Sequence, residues 1–115
     1  MIEVSSESVR QLILDGNAPD NLSVSGGLYL RGTGIANLPN NLSVGGGLYL
    51  SNTGITSLPN NLSVGGWLCL SGTGIAHLPD DLVVGGDLDV RCTNINHLTD
   101  KVKVGGRTLM GMIKK

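Results

Sequence analysis

The segment PNNLSVGGGLYLSNTGITSL, residues 39–58, shows the pattern that recurs along this chain of 115 residues. Every 20 residues its proline returns at Pro19, Pro39, Pro59 and Pro79, and its valine at Val24, Val44, Val64, Val84 and Val104. A fixed period of this length is the sequence signature of a repeat protein, in which each supersecondary unit stacks on the next. The sequence therefore predicts a solenoid of 20-residue coils.

Each coil has no room for a helix. Leu48-Tyr49-Leu50 alternates like a short strand with both leucines on one side. The column Gly34, Gly54, Gly74 and Asn94 predicts a left-handed bend after the strand, because these residue types tolerate positive φ. Pro59-Asn60-Asn61 predicts the turn that closes the coil. The expected inward positions of one coil are Leu42, Val44, Leu48, Leu50, Ile55 and Leu58.

The whole chain, 1–115, is predicted to be a single solenoid domain with a short parallel sheet along one side. Residues 1–18 depart from the repeat and are expected to form a helical cap, with Ser5 or Ser6 as N-cap and Gly16 as the stop. Residues 19–98 hold four repeats, and 99–115 hold a degenerate fifth repeat with a C-terminal cap. Thr33, Thr53, Thr73 and Thr93 are expected to form a ladder of hydroxyls that satisfies backbone amides.

Composition excludes several classes of partner. The formal net charge of −1 gives no basic footprint for nucleic acid and no charge block for an anionic membrane. No apolar stretch reaches the roughly 18 residues that cross a bilayer, and the N-terminus lacks the pattern of a signal peptide. We expect a cytoplasmic protein, with a secreted effector that has no cleaved signal as the alternative.

The pattern Leu-x-Leu-x-x-Thr-x-Ile-x-x-Leu-Pro, seen from Leu48 to Pro59, resembles a leucine-rich repeat. Its length and its Leu-Pro join are similar to the short repeats of secreted effectors from enteric bacteria, and similar glycine-containing repeats occur in phage and mobile-element proteins. The resemblance spans residues 19 to about 110. It implies a scaffold for protein recognition, without the ubiquitin-ligase domain that follows the repeats in some of those effectors.

In such a coil the outward strand positions form an exposed face of three columns. The only tryptophan of the chain and both tyrosines fall there, and these residue types are enriched at recognition hot spots. The face is predicted to have an aromatic half and a charged half. Its candidate partner-binding residues are Tyr29, Arg31, Tyr49, Trp67, Cys69, Asp87, Asp89, Arg91 and Arg107. Sequence drift at solvent-facing positions and simple cross-strand stacking remain the structural alternatives.

Other residue clusters indicate neither a metal site nor a cofactor site. His77 and His97 share one column, but two ligands do not define a metal site. The pairs Asp80 with Asp81 and Asp87 with Asp89 are expected to be solvated. Cys69 and Cys92 fall in different columns and are expected to be free thiols. The Gly-Gly pairs precede strands, which excludes a phosphate loop.

The leading hypothesis is a non-catalytic module that binds a partner protein through this face. A small phage or mobile-element inhibitor that blocks a host enzyme is one alternative. A structural building block that self-associates through its C-terminal edge, near Leu109, Met110, Met112 and Ile113, is another. An enzyme is not expected, because no nucleophile, base and orienting group recur at compatible positions.

Overall fold

The chain winds into a parallel β-solenoid in which each 20-residue coil adds one strand to each of two parallel sheets. The computed structural model describes residues 2–4, 6–95 and 101–109, and side chains from residue 8 onward. Coils 1 to 4 are residues 19–38, 39–58, 59–78 and 79–98, and coil 5 starts at residue 99. The predicted solenoid of stacked 20-residue coils is confirmed.

The strands are two or three residues long. In chain order the elements are β1 (Ile2–Val4), α1 (Ser6–Leu14), β2 (Leu22–Val24), β3 (Leu28–Tyr29), β4 (Ser43–Val44), β5 (Leu48–Tyr49), β6 (Ser63–Val64), β7 (Leu68–Cys69), β8 (Val83–Val84), β9 (Leu88–Asp89), β10 (Lys103–Val104) and β11 (Thr108–Leu109). The first sheet has the order β1-β2-β4-β6-β8-β10, and the second sheet has the order β11-β9-β7-β5-β3.

The register of both sheets equals the sequence repeat. Ser43 pairs with Ser63 in the first sheet, and Leu48 pairs with Leu68 in the second, so equivalent residues stack on neighbouring coils. The sequence predicted only the second sheet. The first sheet arises from the same alternation, because Leu42 and Val44 point inward while Ser43 lies between them, partly exposed.

The interior is a stack of aliphatic side chains. All six predicted inward positions of coil 2 are buried, four of them fully at Leu42, Leu48, Leu50 and Ile55. In coils 3 and 4 the first five of these columns are likewise buried and belong to one continuous cluster, whereas Leu78 is half-buried against it and Leu98 lies outside the described residues. Since each coil covers the apolar edges of its neighbours, the core exists only when coils are stacked.

A glycine pair forms the corner between the two strands in coils 2 to 5, where coil 1 has Ser25 and Gly26, and neighbouring backbones approach closely there. Gly65 N–H donates to Val44 O at 2.7 Å, and Gly66 N–H donates to Gly46 O at 2.9 Å. A Cβ atom built on Gly85 would lie 2.5 Å from Gly65 O. The Gly-Gly repeat therefore has a structural cause, namely the hydrogen bonding of one backbone directly onto the next.

The left-handed bend lies two residues earlier than predicted. It occupies the column Gly32, Asn52, Gly72 and Cys92, with φ values of 74°, 58°, 76° and 58°. Gly34, Gly54 and Gly74 are not left-handed. Gly54 N–H instead donates to Ile35 O of the preceding coil at 2.9 Å, which explains why that column approaches its neighbour. The predicted position was wrong because, in coils 1 to 3, residues that favour turns stand both two and four residues after the strand-column residue Leu30, Leu50 or Leu70.

The threonine column acts within each coil instead of between coils. Thr53 Oγ1 donates to Leu50 O at 2.8 Å, and Thr73 Oγ1 donates to Leu70 O at 2.7 Å. Thr33 and Thr93 make the equivalent bond. Each hydroxyl thus satisfies the strand-end carbonyl three residues earlier. Among these threonines Thr93 also accepts a bond from an amide, Ile95 N–H at 3.2 Å, so the expected pairing of hydroxyls with amides is confirmed there and wrong at the other three positions.

The N-terminal cap is a modified coil. Strand β1 was not predicted; it pairs with β2 at the repeat spacing, Ile2 with Leu22, and extends the first sheet. Helix α1 then packs on β3, the last strand of the second sheet at this end. Val9 and Ile13 of the helix are buried in the core.

The helix ends as its sequence indicates. Gly16 has a φ of 77°, its N–H donates to Ile13 O at 3.1 Å, and Asn17 N–H donates to Leu12 O at 2.8 Å. These paired bonds are a Schellman motif, in which a left-handed glycine closes the last turn. Ser5, one of the two predicted N-caps, lies outside the described residues, and the helix begins at Ser6.

The degenerate fifth repeat keeps both strand positions, β10 and β11. Leu109, one of the residues expected at a self-association edge, is half-buried in β11. Met110, Met112 and Ile113 lie outside the described residues. Self-association through the C-terminal edge therefore stays a prediction.

Replacing Gly85 by alanine will destabilise the solenoid by about 1–3 kcal/mol, because the added methyl meets a backbone carbonyl that cannot move without displacing a coil. Urea denaturation followed by circular dichroism measures this. Gly34→Ala is the matched control, since a Cβ atom there has no neighbour within 4 Å. Equal losses in the two variants would contradict the corner argument.

Replacing Cys92 by glycine will stabilise the protein by about 0.5–1 kcal/mol. A left-handed conformation costs a residue with a Cβ atom about 1–2 kcal/mol, and the extra entropy of an unfolded glycine offsets part of the gain. Gly32→Ala, in the same column and with open space around it, will lose a similar amount. A destabilised Cys92→Gly variant in denaturant titrations would refute this account.

Candidate functional site

The outward face of the second sheet brings together the columns that vary between coils. Exact pairing aligns Tyr29 with Tyr49, Tyr49 with Cys69, and Cys69 with Asp89. Flanking columns run on both sides of this one, two residues earlier and two residues later in each coil. We call these three columns the variable face.

The two tyrosines stack as the register predicts. Their ring centroids are 5.0 Å apart and their planes differ by 3°. Each ring lies over the glycine two residues earlier, and a Cβ atom at Gly47 would lie 2.5 Å from the Tyr49 hydroxyl oxygen. Glycine at Gly27 and Gly47 is therefore what allows the tyrosine rings to lie flat along their coils.

Coil 3 has the large and the small residue in the opposite positions. Its flanking position holds the large Trp67 and its middle position the smaller Cys69. Tyr29 is 61% exposed and Trp67 is 45% exposed, whereas Tyr49 is half-buried between its neighbours. The face thus exposes a large aromatic side chain in coil 1 and another in coil 3.

Asp89 is buried, which corrects the expectation that it is solvated. Only 3% of the residue is exposed. Arg91 covers it with two side-chain bonds, Nε to Oδ1 at 2.9 Å and Nη2 to Oδ2 at 2.8 Å, and Arg91 N–H adds a third bond to Oδ1 at 3.1 Å. The Arg91 hydrogen bonds hold the pKa of the Asp89 carboxyl below its ordinary value, against the opposing effect of burial.

A small polar cluster connects this ion pair to coils 2 and 3. Ser51 Oγ lies 2.9 Å from Cys69 Sγ and 3.2 Å from Ser71 Oγ. The Cys69 thiol donates to Asp89 Oδ2 at 3.8 Å. Ser51 is buried, and both contacts of its hydroxyl are to coil 3. The thiol of Cys69, a predicted site residue, therefore contacts polar side chains of coils 2, 3 and 4.

The remaining predicted charges lie at the margins of the face. Arg31 and Arg107 are exposed, and Asp87 is half-buried. Asp87 Oδ1 accepts a hydrogen bond of 2.8 Å from Arg107 N–H, so its carboxylate lies over the next coil. Of the predicted charged half, Asp87, Arg91 and Arg107 reach solvent, and Asp89 does not.

The cysteines, the histidines and the Asp80–Asp81 pair are the other candidates. Cys69 and Cys92 are free thiols, as predicted. His77 is exposed, and His97 lies outside the described residues, so their pairing is not tested. Asp81 accepts a hydrogen bond from Asn61 N–H at 3.0 Å. Within the described ranges, no three side chains of the metal-binding types come together.

Sequence analysis missed an asparagine ladder where the coils turn into the first sheet. Asn41 Nδ2 donates to Asn21 Oδ1 at 2.6 Å, and Asn61 Nδ2 donates to Asn41 Oδ1 at 2.8 Å. All three are left-handed, with φ values between 57° and 69°. The sequence does carry a signal for this ladder, namely the spacing of 20 residues between these asparagines.

Comparisons with known proteins identify no relative, since no family model, no curated protein and no solved structure matches this chain. In the part of the chain that the structure describes, no helix is both long and apolar enough to cross a bilayer.

Replacing Asp89 by asparagine will lower the free energy of unfolding at pH 7 by about 1–3 kcal/mol, because a neutral amide replaces a buried carboxylate bound to Arg91. The carboxyl pKa is lower in the folded than in the unfolded state. Its stabilising effect is therefore complete above its ordinary value of 3.8 and is lost as the pH falls through the folded value.

Denaturation at a series of pH values tests this. The gap between the wild type and Asp89→Asn will narrow below pH 3.8. Asp87→Asn keeps the acceptor for Arg107 N–H and is the matched control, with an expected change under about 0.5 kcal/mol. A gap that is constant with pH would contradict the assignment of the stabilisation to the ionised carboxylate.

Proposed function

We propose that this protein is a non-catalytic binding module that recognises a partner protein through its variable face. The observation that carries the proposal is the exposure of Tyr29 and Trp67 on that face. Large aromatic side chains give much contact area for little conformational entropy, and they are enriched at interface hot spots.

The distribution of exposed apolar residues supports this proposal over drift. Among the described residues, the exposed large hydrophobic side chains are Tyr29, Trp67 and Val83. The two aromatic ones are on the variable face, and Val83 is on the first sheet. Elsewhere the exposed positions are mostly asparagine, glycine, serine and aspartate, which carry little apolar area.

The platform below the face favours recognition because it is fixed before a partner arrives. Leu28, Leu48 and Leu68 are fully buried beneath the variable columns, and backbone bonds between coils hold each strand in register. A preorganised surface spends little binding energy on ordering itself. The Tyr29–Tyr49 stack further restricts the tyrosine rings.

The polar cluster supports a non-catalytic role. A nucleophilic cysteine or serine needs an adjacent base that takes its proton. The neighbours of Cys69 are Ser51, Ser71 and Asp89, and the carboxylate of Asp89 is already bound to Arg91. This arrangement favours a structural use of the thiol and hydroxyls.

A small bacterial or phage inhibitor of a host enzyme would be a specialised form of the same proposal. It rests on the resemblance to short bacterial repeats and would use the same face. The genes next to this one, and activity assays of enzymes they encode, test it.

The double variant Tyr29→Ala with Trp67→Ala will lose the protein that the wild type captures from an extract of its native host. Both residues are exposed and neither belongs to the buried core, so the melting temperature will change little. Affinity capture followed by mass spectrometry measures the loss, and thermal denaturation measures the fold.

Val83→Ala is the matched control, because it removes an exposed apolar side chain from the first sheet. It will capture the same protein as the wild type. Retention of that protein by the double variant would contradict the proposal, and so would an equal loss in the control.

A further inference from the structure

The two halves of the variable face differ in net charge. In the half formed by coils 4 and 5, Asp89 is neutralised by Arg91, and the Asp87 carboxylate lies beside the backbone of Arg107. Two carboxylates therefore balance two guanidinium groups. That half attracts neither sign of charge strongly.

The aromatic half has positive charge and no acidic residue in its columns. Arg31 is exposed, and among the described side chains none forms an ion pair or hydrogen bond with it. Arg10 of helix α1 donates through Nε to Tyr29 O at 2.8 Å, which places a second guanidinium at the same strand. Positive charge thus lies beside the most exposed aromatic ring of the chain.

We propose that the segment of the partner protein bound here is acidic, with carboxylates that pair with Arg31 while apolar side chains pack on Tyr29 and Trp67. This inference rests on the proposed function and adds the chemistry of the partner. The planar fork of arginine matches a carboxylate in a bidentate geometry. Since the whole chain has a net charge of −1, this attraction belongs to the face and not to the protein as a whole.

The tyrosine geometry favours a peptide over a nucleic acid. A base binds by stacking on an open aromatic face. The facing sides of Tyr29 and Tyr49 are covered by each other, since the rings are parallel at 5.0 Å. One face of each ring lies outside the stack, but of the two residues only Tyr29 is exposed, so the pair offers one open face and not the series of faces on which successive bases stack.

A random peptide library selected on the immobilised full chain tests the inference. Peptides retained by the wild type and lost on the Tyr29→Ala, Trp67→Ala double variant will be enriched in Asp and Glu relative to the input. One enriched peptide and its counterpart with Gln and Asn in place of Glu and Asp are then titrated. The fluorescence of Trp67, the only tryptophan, reports binding at the face.

The neutral counterpart will bind about tenfold more weakly, and the affinity of the acidic peptide will fall as NaCl is raised from low concentration. Arg31→Gln will lose about the same factor for the acidic peptide. Lys103→Gln removes an exposed cation from the first sheet and is the matched control, with unchanged affinity.

Two failures are distinguishable. Peptides that need Tyr29 and Trp67 but show no acidic enrichment, or that bind Arg31→Gln as tightly as the wild type, would overturn the acidic partner and leave the proposed function standing. If no selected peptide needs the aromatic residues, the proposed function fails as well. Displacement of the acidic peptide by a mixed-sequence single-stranded oligonucleotide, at lower concentration than the neutral peptide requires, would assign the face to nucleic acid and overturn the inference.

Discussion

Hydrogen bonding of one backbone directly onto the next at the glycine corner is the constraint on which the rest of the structure depends. Bonds of 2.7–3.1 Å link the corner of each coil to the corner of its neighbour, from coil 1 to coil 5. Parallel strands in such contact are about 4.8 Å apart. That spacing is imposed on every other column, so the leucines stack in the buried interior, the asparagine amides bond in a ladder, and the tyrosine rings meet at stacking distance. A side chain at the corner would separate two coils and affect all of these contacts together.

The period of 20 was sufficient to predict the solenoid and its core, because burial of equivalent residues follows from stacking alone. The tyrosine stack followed from the same register. Local turn geometry could not be obtained this way. Gly34 and Gly32 are both plausible left-handed residues by type, and only the path of the chain shows that Gly32 has the positive φ. The buried state of Asp89 was missed for a related reason: a strand position that faces outward can still be covered by the side chain two residues later, here Arg91.

The variable face shows how a rigid stack allows its surface to change. The coils carry different pairs of side chains at two outward positions: glycine with tyrosine in coils 1 and 2, tryptophan with cysteine in coil 3, and two aspartates in coil 4. Because the core and the corners determine the spacing, these changes leave the register intact. Because the core and the glycine corners stabilise the fold, the side chains of the variable face can change while the interior stays the same.

The N-terminal cap is the exception to this separation. Helix α1 replaces the strand that would otherwise extend the second sheet, and an exposed strand edge needs covering. The apolar side of the helix covers the core with Val9 and Ile13, but the polar contact between helix and strand is made by Arg10, whose Nε satisfies the carbonyl of Tyr29. A residue that closes the sheet edge thus also adds charge beside the most exposed ring of the variable face. At this end of the solenoid, Arg10 therefore both covers a strand edge and adds positive charge to the proposed binding surface.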